Sequence, residues 1–463
     1  MTTILWIIII FASLFILANV SKKLFKTDIY LGLFIMIKTR RFIPFLDKLA
    51  KPKKILNIIT DIGIVLGFGA FGLDYVLKEK IKSKLKRLFL FIFSSIILSY
   101  VFYFGLGLML KNNPMVSANF LWFMAILSGI MGLSGFTLSS LVFSAYDIVV
   151  KLFAGTVASA CPGVGLVIPG VKMPKIELLI PWYGWIILII SAIVHEFSHG
   201  AMLRTLKAKV KSMGFILAGL FPLGAFVEPD DKELKKKKNK SIIRMLSAGP
   251  TSNTIIAIVF ILIYLLITPG IANYSQSIAV QRESSLFIYS VDQNISICGT
   301  IFDSPAYGLV DVNSQIFSVN DKLIKNRYDL ISATKLDYDN KFIFKNTNTN
   351  IEKEIYLKPN EMGRLGFTYN VNYDSSFVIP QKYYWYKTIL SVVLWSAVLN
   401  FLIATVNFLP TFPFDGGMMS KIIFEGYLPR KKQNEKKRMK KVARFFGILI
   451  IVLLLLNILP YFF

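Results

Sequence analysis

His195 and His199 are the only histidines in 463 residues, and they stand four apart in His195-Glu196-Phe197-Ser198-His199. On a helix, positions i and i+4 lie one above the other on the same face, so two imidazoles so spaced can grip one metal ion. Glu196, between them, is close enough to act on a water at that ion. This HExxH pattern is the zinc metalloprotease signature. A chain that uses histidine nowhere else is not placing these two for packing. They also sit inside an apolar run, Ile180–Leu203, where ionisable groups are expensive and so mark function.

Catalytic zinc usually takes three protein ligands and leaves the fourth position to water. With no third histidine, the third ligand must be a carboxylate or a cysteine. Asp415 is the best placed, in Asn407-Phe-Leu-Pro-Thr-Phe-Pro-Phe-Asp415-Gly-Gly417 at the end of an apolar run. Its prolines and glycines break the helix, and unwound backbone at membrane depth is tolerated only where protein or a water cavity surrounds it. Asp61, Asp74 and Asp147 are rivals without that context. Cys161 and Cys298, the only cysteines, are far apart and in no metal-binding spacing, so no disulfide framework follows from them.

The elements that must position these groups are membrane helices. The chain is 54% hydrophobic and only 17% charged, and its apolar residues are clumped into runs of about 20, the length that spans a bilayer. Eight such runs stand out: Ile4–Val20, Ile55–Leu77, Leu88–Leu110, Ala118–Phe143, Ile180–Leu203, Ile242–Thr268, Tyr384–Leu409 and Val442–Tyr461. The first lacks a cleavage-site pattern and reads as a retained helix with its N-terminus outside. The second carries Asp61, Asp74 and several glycines, and is open to a re-entrant or interfacial reading.

The formal charge of +26 is carried by loops beside the apolar runs, which argues for cytoplasmic membrane loops and against a nucleic-acid binder. Segments 21–54, 204–244 and 410–442 hold ten, eleven and nine Lys/Arg against two, four and three acids. If all eight runs span, these three fall on one side, the cytoplasm. The loop 78–87, with six Lys/Arg, then falls on the wrong side. Residues 271–384 are near neutral and alternate apolar and polar, as in Lys341–Phe344 and Ile351–Leu357, which predicts short strands.

Taken together, HExxH in one apolar run and N-x-x-P-x-x-P-x-D-G-G in a later one resemble the site-2 protease family of intramembrane metalloproteases. Gly249-Pro250-Thr-Ser-Asn253 is similar to that family's GPxxN segment, and Leu217–Val227 to its membrane-dipping β-hairpin. The resemblance covers about residues 178–425. It implies Zn2+ as cofactor, His195, His199 and Asp415 as ligands, Glu196 as general base, and Asn407 and Asn253 as substrate-binding residues. Phe414 stands where members usually carry leucine. Asp303-Ser-Pro-Ala306, Gly308-Leu309 and Ile316–Ile324 resemble a PDZ domain, although Asn313-Ser314-Gln315 replaces its usual Gly-Asp.

The expected fold is therefore an α-helical multi-pass membrane protein of about eight spans, with a site-2 protease-like core and an inserted small mixed α/β PDZ-like soluble domain. Its expected divisions are 1–177 (N-terminal membrane region), 178–270 (HExxH and GPxxN helices), 271–383 (extracytoplasmic PDZ-like domain) and 384–463 (the aspartate motif and a last span). The resemblance implies an intramembrane zinc metalloendopeptidase acting on single-span membrane proteins, with the lipid bilayer as its surroundings and no nucleic-acid partner. A Lys-, Ile- and Asn-rich composition points to the plasma membrane of a prokaryote. A metal transporter would show internal repeats and ligands spread over several helices. An inactive scaffold would not keep HExxH and the aspartate intact. Oligomeric state is open.

Overall fold

Long apolar runs become helices in this chain, and glycines decide where two of them turn. The computed structural model describes every residue except 1, 26, 31, 111–115, 166–167, 173–174, 176–178, 220 and 429–434. The chain opens with α1 (Thr2–Phe25), strands β1 (Asp28–Tyr30) and β2 (Phe34–Thr39), and the short α2 (Ile43–Leu49). Then come α3 (Lys53–Leu77), α4 (Lys84–Leu110), α5 (Ala118–Phe153) and α6 (Gly184–Thr205). Strands β3 (Val210–Ala218) and β4 (Phe221–Pro229) and the one-turn α7 (Asp231–Leu234) lead into α8 (Asn239–Arg282).

A strand-rich unit follows: β5 (Glu283–Val291), β6 (Asn294–Ile297), β7 (Thr300–Asp303), β8 (Ser314–Val319), β9 (Lys322–Leu323), α9 (Arg327–Ala333), β10 (Asn340–Asn346), β11 (Glu352–Leu357) and β12 (Phe367–Tyr373). The chain ends in α10 (Gln381–Asn407), α11 (Asp415–Glu425) and α12 (Glu435–Ile458). Among the described residues, seven helices are long and apolar enough to cross a membrane: α3, α4, α5, α6, α8, α10 and α12. The first expected span, Ile4–Val20, falls on α1, and the side chains of residues 1–11 lie outside the described residues.

Two of the seven do not cross. Phe68 and Gly69 leave helical geometry, Gly69 with φ 53° and ψ −133°, and Gly132 does so with φ 60° and ψ −145°. A Cβ built on Gly72 would lie 2.2 Å from the carbonyl oxygen of Ile64, eight residues back, a separation of about 12 Å in a straight helix. The rings of Phe120 and Phe143 stack at 3.8 Å, although 23 residues of straight helix would separate them by about 34 Å. So α3 and α5 are each helical hairpins that enter and leave the bundle on one face. Their tips meet: a Cβ on Gly69 would lie 2.5 Å from Gly129 O, and one on Gly132 would lie 2.2 Å from Leu66 O. Non-helical backbone at that depth is tolerated because each tip is covered by the other.

The turn in α3 resolves the misplaced basic loop. Lys240 pairs with Glu79 at 2.7 Å, Arg204 with Asp47 at 2.6 Å, and Asn239 Nδ2 donates to Glu435 at 3.0 Å. The described residues of four Lys/Arg-rich segments, 21–54, 78–87, 204–244 and 410–442, therefore share one basic face. The re-entrant reading left open for the second run is the one the structure takes, whereas Ala118–Phe143, read as a crossing, is also a hairpin.

At the opposite face, Cys161 and Cys298 form a disulfide across 137 residues, a pairing that their sequence spacing did not signal. It ties the segment after α5 to the β6–β7 hairpin, and Lys151 Nζ donates to Cys298 O at 2.6 Å. The helix α8 runs past the expected boundary at 271 to Arg282, and the strands begin at Glu283. The expected strand segments fall on β10 and β11. The main sheet has the order β11-β10-β8-β5-β12, with β9 on β8. Its core is built from Leu286, Ile316, Phe342 and Phe344.

The other sheet, β1-β2-β3-β4, is antiparallel, with β4 at its edge beside α6. The expected hairpin Leu217–Val227 is the β3–β4 end of it. Around the centre of the bundle, α3 packs on the segments that carry the aspartate and GPxxN motifs: Gly67 lies against the Phe408 ring and Gly63 against Thr251.

Gly132→Ala should destabilise the protein by more than about 3 kcal/mol, because a side chain there meets both forbidden backbone angles and the Leu66 carbonyl. Detergent-solubilised thermal unfolding measures this. A variant as stable as the parent would show that the α3 and α5 tips do not meet as described.

Candidate active site

The i, i+4 spacing on α6 does what the sequence requires of it. His195 and His199 are both buried, and their Nε2 atoms lie 3.1 Å apart. Asp415 Oδ2 closes a triangle, 3.2 Å from His195 Nε2 and 3.1 Å from His199 Nε2. The aspartate is the first residue of α11, and its two glycines explain its reach. A Cβ on Gly416 would lie 2.2 Å from Phe408 O, and one on Gly417 would lie 2.5 Å from the Thr411 carbonyl. Only glycine lets α11 start hard against the turn that ends α10, which brings the carboxylate to α6.

Whether a metal fits this triangle is a matter of hydrogens. His199 Nδ1 lies 2.7 Å from the Met245 carbonyl oxygen, an acceptor without a hydrogen. His195 Nδ1 lies 2.6 Å from Asn253 Oδ1, the amide oriented by Nδ2 donating to Asn400 Oδ1 at 2.8 Å and, at the longer 3.3 Å, to Ser191 O. Both Nδ1 atoms must therefore carry a hydrogen, so in the neutral imidazoles both Nε2 atoms are bare lone pairs. Two lone pairs and a carboxylate oxygen cannot satisfy one another, and a proton on an Nε2 or a metal cation among them can. Bonds of about 2.0–2.2 Å in tetrahedral geometry put ligand atoms about 3.3–3.6 Å apart, a slight expansion of the triangle observed. The His195, Glu196 and His199 donor atoms all lie within 4.8 Å of one another, as a metal-holding group requires.

Glu196 is held apart from the triangle. Its Oε2 accepts from the backbone N–H of Val227 at 3.0 Å, on the outer edge of β4. Gly249 of α8 forms the roof. A Cβ there would lie 2.4 Å from His199 Nε2 and 2.5 Å from His195 Nε2, inside the space the ion needs.

The structure thus brings His195, Glu196, His199 and Asp415 together. The rival carboxylates are engaged elsewhere: Asp61 with Arg244, Asp74 with Arg87 and Tyr427, Asp147 with Lys151. Asn253, expected at the substrate, is fully buried behind His195, with its amide committed to protein partners. Asn407 is half-buried, and its Nδ2 donates to Ile403 O of its own helix at 2.9 Å. Sequence reading missed Gly249 and Met245. A carbonyl has no residue signature, but a glycine inside a span, beside a proline, is visible as a close-approach signal.

Comparison with known proteins agrees with this geometry. The model of peptidase family M50 matches residues 183–454. The chain is also 26% identical over 274 residues to an uncharacterized protein of Methanocaldococcus jannaschii, covering 59% of this chain and 64% of that one. The chain thus spans less than two thirds of that relative's length.

Gly249→Ala should abolish stoichiometric binding of added Zn2+, measured by equilibrium dialysis against a metal chelator. Alanine improves helix propensity by about 1 kcal/mol over glycine, so a loss of metal with unimpaired thermal stability assigns the effect to the roof. Undiminished zinc binding would show that the ion does not lie under Gly249.

Proposed function

From the premise that the chain belongs to peptidase family M50, we propose that it is a zinc metalloendopeptidase that hydrolyses peptide bonds in or near the transmembrane segments of single-span membrane proteins. Membership makes it a membrane metallopeptidase. The zinc, the substrate class and the intramembrane position of the cut are our reading. The observation that carries it is the triangle of His195 Nε2, His199 Nε2 and Asp415 Oδ2, all three lone-pair atoms, set among membrane-spanning helices.

His195, His199 and Asp415 would hold the zinc, which would supply Lewis acidity toward a peptide carbonyl and a water. Glu196 takes the proton of the attacking water and delivers it to the leaving nitrogen. Its hydrogen bond to Val227 N aims the carboxylate without occupying both oxygens. Asn407, at the end of α10, swings from Ile403 O to hold the substrate backbone. A helical substrate hides its carbonyls and must unwind before it can be cut. The edge of β4 beside Glu196 offers backbone groups to the extended segment, as in strand addition.

The basic face is the cytoplasmic one by the positive-inside rule. The strand-rich unit then lies outside the cytoplasm, in accord with a disulfide, which persists in oxidising compartments. We read that unit as PDZ-like and as a screen for substrate ectodomains, and the host as the plasma membrane of a prokaryote. A transporter would need further membrane-embedded ligands, and Asp61, Asp74 and Asp147 are each paired with a basic residue.

Glu196→Gln should retain one zinc per chain and lose at least about 10³-fold in cleavage of a single-span substrate, the scale of general acid–base contributions. Asp415→Ala should lose both metal and cleavage. The assay is cleavage in proteoliposomes with and without chelator, alongside zinc analysis. Full activity in the glutamine variant ends the general-base role, and chelator-resistant cleavage ends the metalloprotease reading.

A further inference from the structure

We infer that Asn400 is a positioning residue for the metal site, setting the tautomer of His195 from α10 by way of Asn253 on α8; this rests on the metalloprotease reading above. Asn400 and Asn253 are 2% and 0% exposed, so no solvent substitutes for a lost partner. Their hydrogen bonds form a chain with one permitted direction. The Ser396 carbonyl oxygen can only accept, so the Asn400 atom facing it at 2.9 Å is Nδ2. That turns Asn400 Oδ1 toward Asn253, where it accepts from Nδ2 at 2.8 Å. Asn253 Oδ1 is then presented to His195 Nδ1 at 2.6 Å. An oxygen there requires a hydrogen on Nδ1, and Nε2 is left bare for the metal.

The competing arrangement is specific. With its amide flipped, Asn253 presents an NH2 group to His195, which must accept at Nδ1 and carry its hydrogen on Nε2. That hydrogen points into the triangle, where Asp415 Oδ2 stands 3.2 Å away to receive it. The result is a closed, metal-free hydrogen bond in place of a ligand set. The contact opposing the flip besides Asn400 is Ser191 O, at 3.3 Å. His199 needs no such device, because its Nδ1 faces a backbone carbonyl that cannot flip. The asymmetry gives a reason for the buried asparagine in α10 seven residues before Asn407.

The test compares full-length wild type with Asn400→Leu, Asn400→Ala and Asn400→Asp. Zinc affinity is read by competition with a chromophoric chelator, and thermal unfolding of the zinc-free proteins is read alongside. Leucine and alanine remove the acceptor for Asn253. Each should bind zinc at least about tenfold more weakly, with metal-free melting temperatures close to wild type. Aspartate keeps that acceptor and should bind within about threefold of wild type. A packing role predicts the reverse order, since leucine suits the apolar surroundings and aspartate does not. If leucine does not fold, alanine carries the comparison without added bulk. Wild-type affinity in Asn400→Ala, or equal losses in the alanine and aspartate variants, overturns the inference alone. A wild type that binds no zinc overturns the metal reading with it.

Discussion

Three electron-rich atoms do not rest 3.1–3.2 Å apart in a buried site unless something positive joins them. The architecture around the site can be read as the means of holding that unfavourable arrangement in place. The histidine side chains come from one helix, the carboxylate from a second, and the groups that fix the imidazole hydrogens from a third, α8. Each imidazole has its Nδ1 hydrogen tied to an oxygen, so its only free valence points inward. In water these lone pairs would find solvent donors. Inside the bundle solvent donors are replaced by what the site itself can hold, a proton shared with Asp415 or a metal cation.

Crowding is the second requirement, and glycine meets it in several places. Gly249 leaves the space above the imidazoles open, while Gly416 and Gly417 let α11 begin against the preceding turn. The same logic acts on a larger scale at Gly69 and Gly132. There the chain reverses inside the membrane region at backbone angles that side chains rarely adopt, and the two reversals cover one another's exposed polar backbone. Without side chains in the way, helices and turns approach closely enough for hydrogen bonds and ligation to span between elements.

The candidate ligands were legible in the sequence because their chemistry is scarce. Two histidines in the whole chain, four apart, leave little to interpret, and Asp415 stands out among the aspartates by its prolines and glycines. Helix positions were legible because apolar runs are long. What could not be read was direction. The acids and glycines of the α3 run left a turn open there, but the α5 run carries no comparable signal, and a run of apolar residues looks the same whether it crosses or turns back. The warning was electrostatic: the six cations of 78–87 on the wrong side meant that a preceding run did not cross. The Cys161–Cys298 bridge was hidden for a different reason, since its partners come together only after the strand-rich unit docks.

The N-terminal region lies outside residues 183–454, where the family match runs, yet it cannot be separated from the chemistry. Its hairpin α3 places Gly67 against Phe408, on the turn that carries Asp415, and Gly63 against Thr251, two residues from Gly249. Asp61 pairs with Arg244, and Ser247 Oγ donates to Thr60 O at 3.0 Å. Those contacts bracket Met245, whose carbonyl fixes His199. The hairpin α5 supports α3 from the opposite face and packs on α12 through Leu138, Leu141 and Ile450. The N-terminal hairpins therefore serve as the outer wall of the candidate metal site, and a matched segment cut free of them would lose the cover over Phe408 and Thr251. A bundle that must hold three repelling atoms within hydrogen-bond distance has little tolerance for such loosening.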